Sequence, residues 1–175
     1  MADPAEFATF VRVHSTALVS SAFLLTGDRV DAEELVQDTL VRLYPNWARV
    51  AQADVPLAYV RRSLTNNFLN GRRRRSAGDV LVADPPETGY EPDLGGRLSD
   101  RELVRSLLDR LPARQRAVLV LRFFEELDDG DIAAIVGCRR GTVRSIVSRS
   151  LQQLRLDTER RAASGQPRQT NGNLR

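Results

Sequence analysis

The stretch that most constrains the fold of this chain runs from residue 129 to residue 149, where two short helical patterns meet at a tight corner. Apolar residues recur at helical spacing on both sides of the corner: Ile132, Ala133 and Val136 before it, and Val143, Ile146, Val147, Leu151 and Leu154 after it. Gly137 lies between the two patterns and can take the left-handed conformation that ends a helix and turns the chain. The pattern predicts a helix-turn-helix, whose second helix, from residue 139 or 140 to about residue 155, lies in the DNA major groove.

The outward face of this second helix is rich in groups that bind DNA: Arg139, Arg140, Thr142, Arg144, Ser145, Ser148 and Arg149. Arginine can hold a guanine edge through two hydrogen bonds, and Ser and Thr can reach bases or phosphates. A helical corner in a bundle, with its arginines simply solvated, would have the same apolar pattern. DNA binding is favoured because residues 139 to 149 include four arginines and no acidic residue.

Composition indicates a soluble globular protein without a metal or a cofactor. The chain has 175 residues, 42% of them hydrophobic and 28% charged, enough for one medium domain or two small ones. One cysteine, Cys138, cannot form a disulfide within the chain, and no Cys/His cluster has metal-ligand spacing. We interpret Cys138 and the one histidine, His14, as structural residues.

The N-terminal segment predicts a protein that stays in the cytoplasm. No run of about 18 apolar residues occurs, so no membrane insertion is expected. The acidic N-terminus also differs from the basic start of a signal peptide.

Charge is distributed unevenly along the first half of the chain. Residues 1 to 41 contain two arginines and seven acidic residues: Asp3, Glu6, Asp28, Asp31, Glu33, Glu34 and Asp38. Residues 42 to 75 contain one acidic residue, Asp54, and eight arginines: Arg42, Arg49, Arg61, Arg62 and Arg72 to Arg75. Such asymmetry suggests two surfaces with different partners.

The acidic part contains two predicted helices, over residues 5 to 25 and 31 to 47, separated by a break at residues 26 to 28. On the second helix, one charged stripe is formed by Asp31, Glu34, Asp38 and Arg42. This stripe is either a solvated face with an Asp38–Arg42 pair or a docking surface for a basic partner. A loop is predicted for residues 48 to 56.

A third helix is predicted over residues 57 to 75, with a basic and amide-rich outer face. Its candidate nucleic-acid contacts, together with one nearby ring, are Trp47, Tyr59, Arg61, Arg62, Asn66, Asn67, Asn70, Arg72 and Arg73. Arginine binds phosphate, asparagine pairs with base edges, and aromatic rings stack on unpaired bases. The alternative is a solvated basic helix without a ligand.

Beyond residue 75 the composition of the chain changes, and this segment divides the sequence into two units. Residues 76 to 98 are acidic and interrupted by Pro and Gly, which predicts a flexible linker. Its 23 residues span at most about 76 Å when extended. We therefore predict an all-α protein of two small helical domains, residues 1–75 and 99–155, joined by a flexible acidic linker at 76–98. The second domain contains the helix-turn-helix, and a polar tail without fixed structure follows at 156–175.

Three segments together resemble bacterial RNA polymerase sigma factors of the extracytoplasmic-function type. They are DAEELVQDTLVRLYPNW, AYVRRSLTNNFLNGRRRR and LPARQRAVLVLRFFEELDDGDIAAIVGCRRGTVRSIVSRSLQQLR. The last segment is very specific, and the first two gain specificity from their order. The resemblance covers residues 5 to 155.

The resemblance implies a role for each surface. The acidic stripe on residues 31 to 42 would bind the clamp helices of the polymerase β′ subunit. The third helix and the loop before it would recognise the −10 promoter element and hold the melted strand. The helix-turn-helix would read the −35 element, and its domain would contact the β flap. An anti-sigma factor is a usual partner in this family, although no residue here specifies one.

The function that follows is promoter recognition, DNA melting and transcription initiation at a subset of promoters, with core RNA polymerase and promoter DNA as partners. An alternative is a helix-turn-helix regulator that binds DNA without being a polymerase subunit, but such a protein has no need of the segment from 31 to 75. An enzyme is not expected, because the sequence has no nucleophile–base pair and no Gly-rich phosphate loop.

Overall fold

The computed structural model describes residues 3–78 and 100–163, with all their side chains except those of residues 73–78, 100–102 and 161. Every regular element in these two ranges is helical, as the sequence predicts. In order they are α1 (Pro4–Thr26), α2 (Arg29–Leu43), a 3₁₀ turn (Tyr44–Asn46), α3 (Trp47–Ala51), α4 (Pro56–Gly78), α5 (Asp100–Leu108), α6 (Ala113–Phe123), α7 (Asp129–Val136) and α8 (Arg140–Ala163). Residues 79–98 of the predicted linker lie outside the described residues.

The breaks between helices follow from local chemistry. Gly27 ends α1 at φ 81°, in the left-handed region, and its N–H donates to the Phe23 carbonyl. The side chain of Asp28 then accepts hydrogen bonds from Val30 N and Asp31 N at 2.8 and 3.0 Å, which satisfies the free amides at the start of α2. The predicted break at residues 26 to 28 is confirmed.

Helices α1 to α4 enclose one apolar core. Its buried residues are Leu18, Ala22, Ala32, Val36, Leu40, Trp47, Val50, Val60 and Leu64. Part of the predicted loop at 48 to 56 is wrong, because α3 occupies residues up to Ala51. Trp47 and Val50 lie three positions apart and are both buried, so packing stabilises a short helix that the polar sequence around them does not signal.

Helix α1 is long and apolar enough to cross a membrane by length and composition alone. In this fold, however, it contributes Leu18, Ala22 and Leu25 to the interior, each 1% exposed or less. A core helix of a soluble protein passes the same test.

Helices α6, α7 and α8 form a second core around Val118, Leu121, Ile132, Ala133, Val136, Val143 and Ile146. Gly137 ends α7 at φ 70°, as predicted, and the half-buried Cys138 packs against this core. Phe123 and Phe124 lie at the end of α6 and are 53% and 45% exposed. The predicted start of the polar tail at residue 156 is wrong, because helix α8 continues to Ala163.

The start of α7 is capped by the carboxylate of Asp128, which accepts from Gly130 N at 2.7 Å and from Asp131 N at 2.9 Å. These backbone hydrogen bonds, that of Asp131 most strongly, hold the pKa of Asp128 below its usual 3.8. A carboxyl group with a lowered folded pKa stabilises the fold above its unfolded pKa, and this contribution is lost as pH falls through the folded value.

We therefore expect Asp128→Ala to lower the midpoint of thermal unfolding at neutral pH, because the cap is lost. The difference in midpoint from the wild type should shrink as pH falls below 3.8 towards the lower folded pKa of Asp128, because the capping carboxylate then becomes protonated. Circular dichroism at a series of pH values measures both. A difference that is unchanged at the lowest pH would contradict the charged cap, and Glu126→Ala is a control for loss of a nearby carboxylate.

The two halves of the chain also share an apolar cluster. Leu24, Leu25 and Phe68 from the first half pack with Leu108, Leu111, Ala117, Leu119 and Val120 from the second. Nothing in the periodicity of either half predicts this contact. It positions the helix-turn-helix beside α4.

Candidate nucleic-acid interface

The helix-turn-helix presents its predicted DNA contacts to solvent. All seven residues of the predicted set are exposed: Arg139, Arg140, Thr142, Arg144, Ser145, Ser148 and Arg149. The opposite face of α8 is fixed by the burial of Val143 and Ile146. The local apolar spacing therefore places these polar groups together on the outer face of the helix.

Asp129, which the sequence interpretation did not single out, positions one of these arginines. Its carboxylate accepts from Arg144 Nε at 2.7 Å and also pairs with Arg122. The Arg144 side chain is 74% exposed, and a guanidinium bound through Nε retains its terminal Nη donors for a base edge. The spacing of residues along α8 does not predict this role of Asp129, because Asp129 lies on α7 and its partner Arg144 lies on α8.

Gly130 allows a second close approach at this corner. A Cβ at this position would collide with the Arg140 guanidinium, which lies over the start of α7. The lack of a side chain at Gly130 thus lets Arg140 fold back onto the first helix.

Helix α4 brings together most of the second predicted set, but its members differ in environment. Tyr59, Asn66, Asn70 and Arg72 are exposed. Asn67 instead donates to Thr39 Oγ1 at 3.0 Å, a contact that ties α4 to α2. The guanidinium of Arg72 lies 5.9 Å from the centre of the Phe68 ring. The Arg73 side chain lies outside the described residues.

Arg61 and Arg62 on α4 are paired with acids from the other half of the chain. Arg61 Nη1 lies 2.8 Å from Glu125 Oε2, and Arg62 Nη2 lies 2.8 Å from Asp131 Oδ1. Both arginine side chains are partly buried, at 31% and 43% exposure. Two arginines of the predicted nucleic-acid surface are therefore paired with carboxylates in this conformation.

Trp47 does not belong to the surface, and its predicted role as a stacking residue is wrong for this structure. It is 1% exposed, and its ring meets those of Phe7 and Phe10 at centroid distances of 5.0 and 4.7 Å. Stacking on a base requires an open ring face. The sequence placed Trp47 beside the basic helix, but only the packing of α1 reveals that its ring is enclosed.

The acidic stripe on α2 is exposed along its whole length, at Asp31, Glu34, Asp38 and Arg42. The predicted Asp38–Arg42 pair is present, with Oδ2 and Nη2 3.0 Å apart. Val30 and Val41 on the same helix are 72% and 70% exposed. The helix therefore offers a charged surface with apolar groups, a mixture suited to a protein partner.

The described ranges contain no group of three or more His, Cys, Asp or Glu side chains placed to hold a metal. His14 lies against Phe10, with ring centroids 4.6 Å apart.

Comparison with known proteins shows the family to which this chain belongs. Residues 10–78 match the model for Sigma-70 region 2, and residues 107–156 match the model for Sigma-70, region 4. The RNA polymerase sigma-E factor of Streptomyces avermitilis is 36% identical over 156 residues, which cover 89% of this chain and 87% of that protein. This chain belongs to the sigma-70 family of RNA polymerase sigma factors.

Other relatives place this sigma factor in the extracytoplasmic-function class. The sigma-E factor of Streptomyces coelicolor is 35% identical over 155 residues, covering 89% of this chain and 87% of that protein. The ECF RNA polymerase sigma factor SigL of Mycobacterium tuberculosis is 28% identical over 147 residues, with 82% and 83% covered. Among solved structures, the sigma factor RpoE of Bartonella quintana, determined in complex with the anti-sigma factor NepR, has a TM-score of 0.63 at 28% identity and covers 85% of this chain and 94% of that one.

The matched regions correspond to the two groups of helices in this sigma factor. Region 2 comprises most of α1 together with α2, α3 and α4, and region 4 extends from the end of α5 into α8. A DNA-binding regulator that is not a polymerase subunit would not require region 2. The alternative function is therefore set aside, and sigma factors of this kind act in general by recognition rather than by catalysis.

Proposed function

We propose that this sigma factor directs RNA polymerase to a subset of promoters through three separate surfaces on α2, α4 and α8. The observation that carries the proposal is the exposed face at the start of α8, where six of the seven predicted DNA contacts lie on the second helix of a helix-turn-helix in region 4 and Arg139 directly precedes that helix. Localisation in the cytoplasm, where the polymerase and the chromosome lie, is part of this proposal.

Helix α8 reads the −35 element in the major groove. Arg140 and Arg144 at its N-terminal end, with Arg139 directly before it, lie where a recognition helix contacts base edges. Ser145, Ser148 and Arg149 follow one turn or more along the exposed face and contact bases or the phosphate backbone.

Helix α4 holds the −10 element and its melted strand. Tyr59 offers a ring for stacking, Asn66 and Asn70 offer amides for base edges, and Arg61, Arg62 and Arg72 offer charge for phosphates. Melting then derives from binding energy, because contacts with the single strand offset the loss of base pairing. Each stacked base contributes about 1–3 kcal/mol.

Helix α2 binds core polymerase. The exposed acidic residues Asp31, Glu34 and Asp38 favour a basic partner surface, such as the clamp helices of the β′ subunit, and the region 4 domain contacts the β flap. The solved complex of the similar RpoE with NepR supports an anti-sigma factor as a further partner of this chain. We propose no contact with DNA or polymerase for the linker or for the segment after residue 163.

The overall proposal is tested by run-off transcription with the purified protein and core polymerase from a related bacterium, on fragmented genomic DNA. New transcripts whose start sites share two upstream motifs are expected. Binding of the protein alone to specific duplex sites, without new transcripts, would contradict the role in initiation.

We expect Arg144→Ala to reduce discrimination at one −35 base pair by about 1–3 kcal/mol, because a bidentate contact to a base is lost. Transcription from promoters with each base at every −35 position measures the effect. Arg155→Ala, three turns further along the same helix, is the matched control and should leave base preference unchanged. A uniform loss at all sequences would assign Arg144 to phosphate binding.

A further inference from the structure

The first turn of α7 lies beside the exposed face of α8, and two of its residues contact arginines of that face. One apolar core joins the two helices around the fully buried Val143. Because this packing fixes how the helices cross, Asp129 and Gly130 at the start of α7 lie next to Arg144 and Arg140 on α8. The first helix of the helix-turn-helix therefore contacts side chains that the second helix offers to DNA.

Asp129 holds the guanidinium of Arg144 at one of its three nitrogens. The Nε group donates to Asp129 Oδ2 at 2.7 Å, a short charge-assisted hydrogen bond. The Arg144 side chain is 74% exposed, whereas that of Asp129 is 16% exposed. The five N–H donors of arginine lie in one rigid plane, so a bond at Nε fixes that plane and leaves both Nη groups for another partner. A mostly buried carboxylate thus sets the direction of an exposed guanidinium.

Arg122 of α6 fixes Asp129 in turn. It pairs with Oδ1, the other carboxylate oxygen, and its side chain is 29% exposed. A mostly buried carboxylate is stable when it is paired, and here each oxygen has its own arginine. Two arginines on one carboxylate leave a net positive charge, so Asp129 does not make this surface repel the phosphate backbone.

Gly130 leaves the space that Arg140 occupies. A Cβ at this position would collide with Nη2, Cζ and Nε of the Arg140 guanidinium, so the plane of that group lies against the glycine. The backbone N–H of Gly130 also donates to the Asp128 carboxylate at 2.7 Å, a bond that any residue except proline could make. The feature that only glycine provides here is therefore the position of Arg140.

A guanidinium held in advance favours one base over the others. A free arginine loses side-chain freedom when it binds, which lowers affinity by about two- to tenfold per side chain. A positioned arginine avoids this loss only for a base whose acceptors lie where its donors already point. Contacts to phosphate depend less on direction and carry no sequence information, so positioning affects discrimination more than overall affinity.

We propose that Asp129 and Gly130 are positioning residues for −35 recognition, which set the directions in which Arg144 and Arg140 present their donors to base edges without touching DNA themselves. The proposal rests on the proposed −35 role of α8. It makes the base preference of this sigma factor depend on the start of α7 as well as on the recognition helix.

The test of Asp129 is transcription by the reconstituted holoenzyme from promoters that carry each base at every −35 position. Asp129→Asn removes the charge and preserves the shape. It is expected to lower the preference at one base pair by about two- to tenfold, at the same base pair as Arg144→Ala. In the Arg144→Ala background it should have no further effect. The control is Glu126→Gln, which removes a carboxylate from an exposed side chain three positions earlier.

The test of Gly130 separates positioning from stability. Gly130→Ala should leave the midpoint of thermal unfolding unchanged or raise it, because alanine has the higher helix propensity and the colliding guanidinium is the end of a flexible side chain. The displaced Arg140 should nevertheless lower the preference by about two- to tenfold at the base pair that Arg140→Ala affects. Gly71→Ala is the control, since a Cβ there meets nothing within 4 Å.

The outcomes distinguish failure of this inference from failure of the −35 role itself. If Arg144→Ala or Arg140→Ala leaves base preference unchanged, the reading role of that arginine fails, and its positioning residue fails with it. If the arginine variants lower the preference but Asp129→Asn and Gly130→Ala do not, only the positioning role is rejected.

Two further results would also overturn the role of Asp129. An effect at a different base pair, or one that persists in the Arg144→Ala background, would show that the carboxylate reads a base directly, as it could by accepting from the amino group of cytosine. A uniform change at all sequences would show that Asp129 acts only through its charge. Circular dichroism shows that each variant is folded before its base preference is compared.

Discussion

Asp38→Arg is expected to reduce binding to core RNA polymerase by about a hundredfold or more, corresponding to about 3 kcal/mol. Asp38 lies at the centre of the exposed acidic stripe on α2, between Glu34 and Arg42. If the partner surface is basic, an arginine at this position replaces an attraction with a repulsion, and like charges across an interface cost several kcal/mol. The fold should change little, because the exposed Asp38–Arg42 pair contributes only a few tenths of a kcal/mol.

The matched control for this prediction is Glu33→Arg. It makes the same change in charge on the same helix, but position 33 is about 140° around the axis from position 38 at about 100° per residue. Polymerase binding is measured by fluorescence anisotropy of the labelled sigma factor, and DNA binding by the isolated chain serves as a second readout. Equal losses from the two substitutions would show that net charge, and not this stripe, determines binding.

The features that the sequence predicts well are those that depend on neighbours along the chain. The helix-turn-helix follows from the spacing of Ile132, Val136 and Val143 and from the glycine at position 137. The exposed stripe on α2 follows in the same way, because an apolar face turned inward fixes where the charged face must be. In each case, side chains three or four positions apart lie on one face, so periodicity alone contains the information.

The features that the sequence does not predict depend on distant contacts. Arg61 reads as a solvated or DNA-binding residue because Glu125, its partner, is far along the chain and lies in a turn. Phe123 and Phe124 fit the apolar pattern of α6, yet the helix ends at Phe123 and leaves both rings exposed. In the sequence, Trp47 resembles a stacking residue because it lies near the basic helix. Its position in the sequence does not show that α1 covers its ring.

Trp47→Ala is expected to destabilise the N-terminal domain by about 3–5 kcal/mol, a large part of the stability of a typical domain, which is about 5–15 kcal/mol in total. The side chain is among the largest that are fully buried and packs between Phe7 and Phe10. Removing it leaves a cavity beneath α1 and α3 that the surrounding helices can fill only in part. Denaturant unfolding followed by circular dichroism measures the loss.

Because Trp47 is the one tryptophan in the chain, its fluorescence can distinguish a core role from a stacking role. A buried indole should fluoresce at short wavelength and should not be quenched when single-stranded −10 DNA binds, whereas a stacking indole would be quenched. Trp47→Phe should retain most of the packing and leave DNA affinity unchanged, while Tyr59→Ala, which removes an exposed ring on α4, should weaken binding by about 1–3 kcal/mol. If Trp47→Phe weakens DNA binding as much as Tyr59→Ala does, while the fold stays intact, the indole must leave the core when DNA binds.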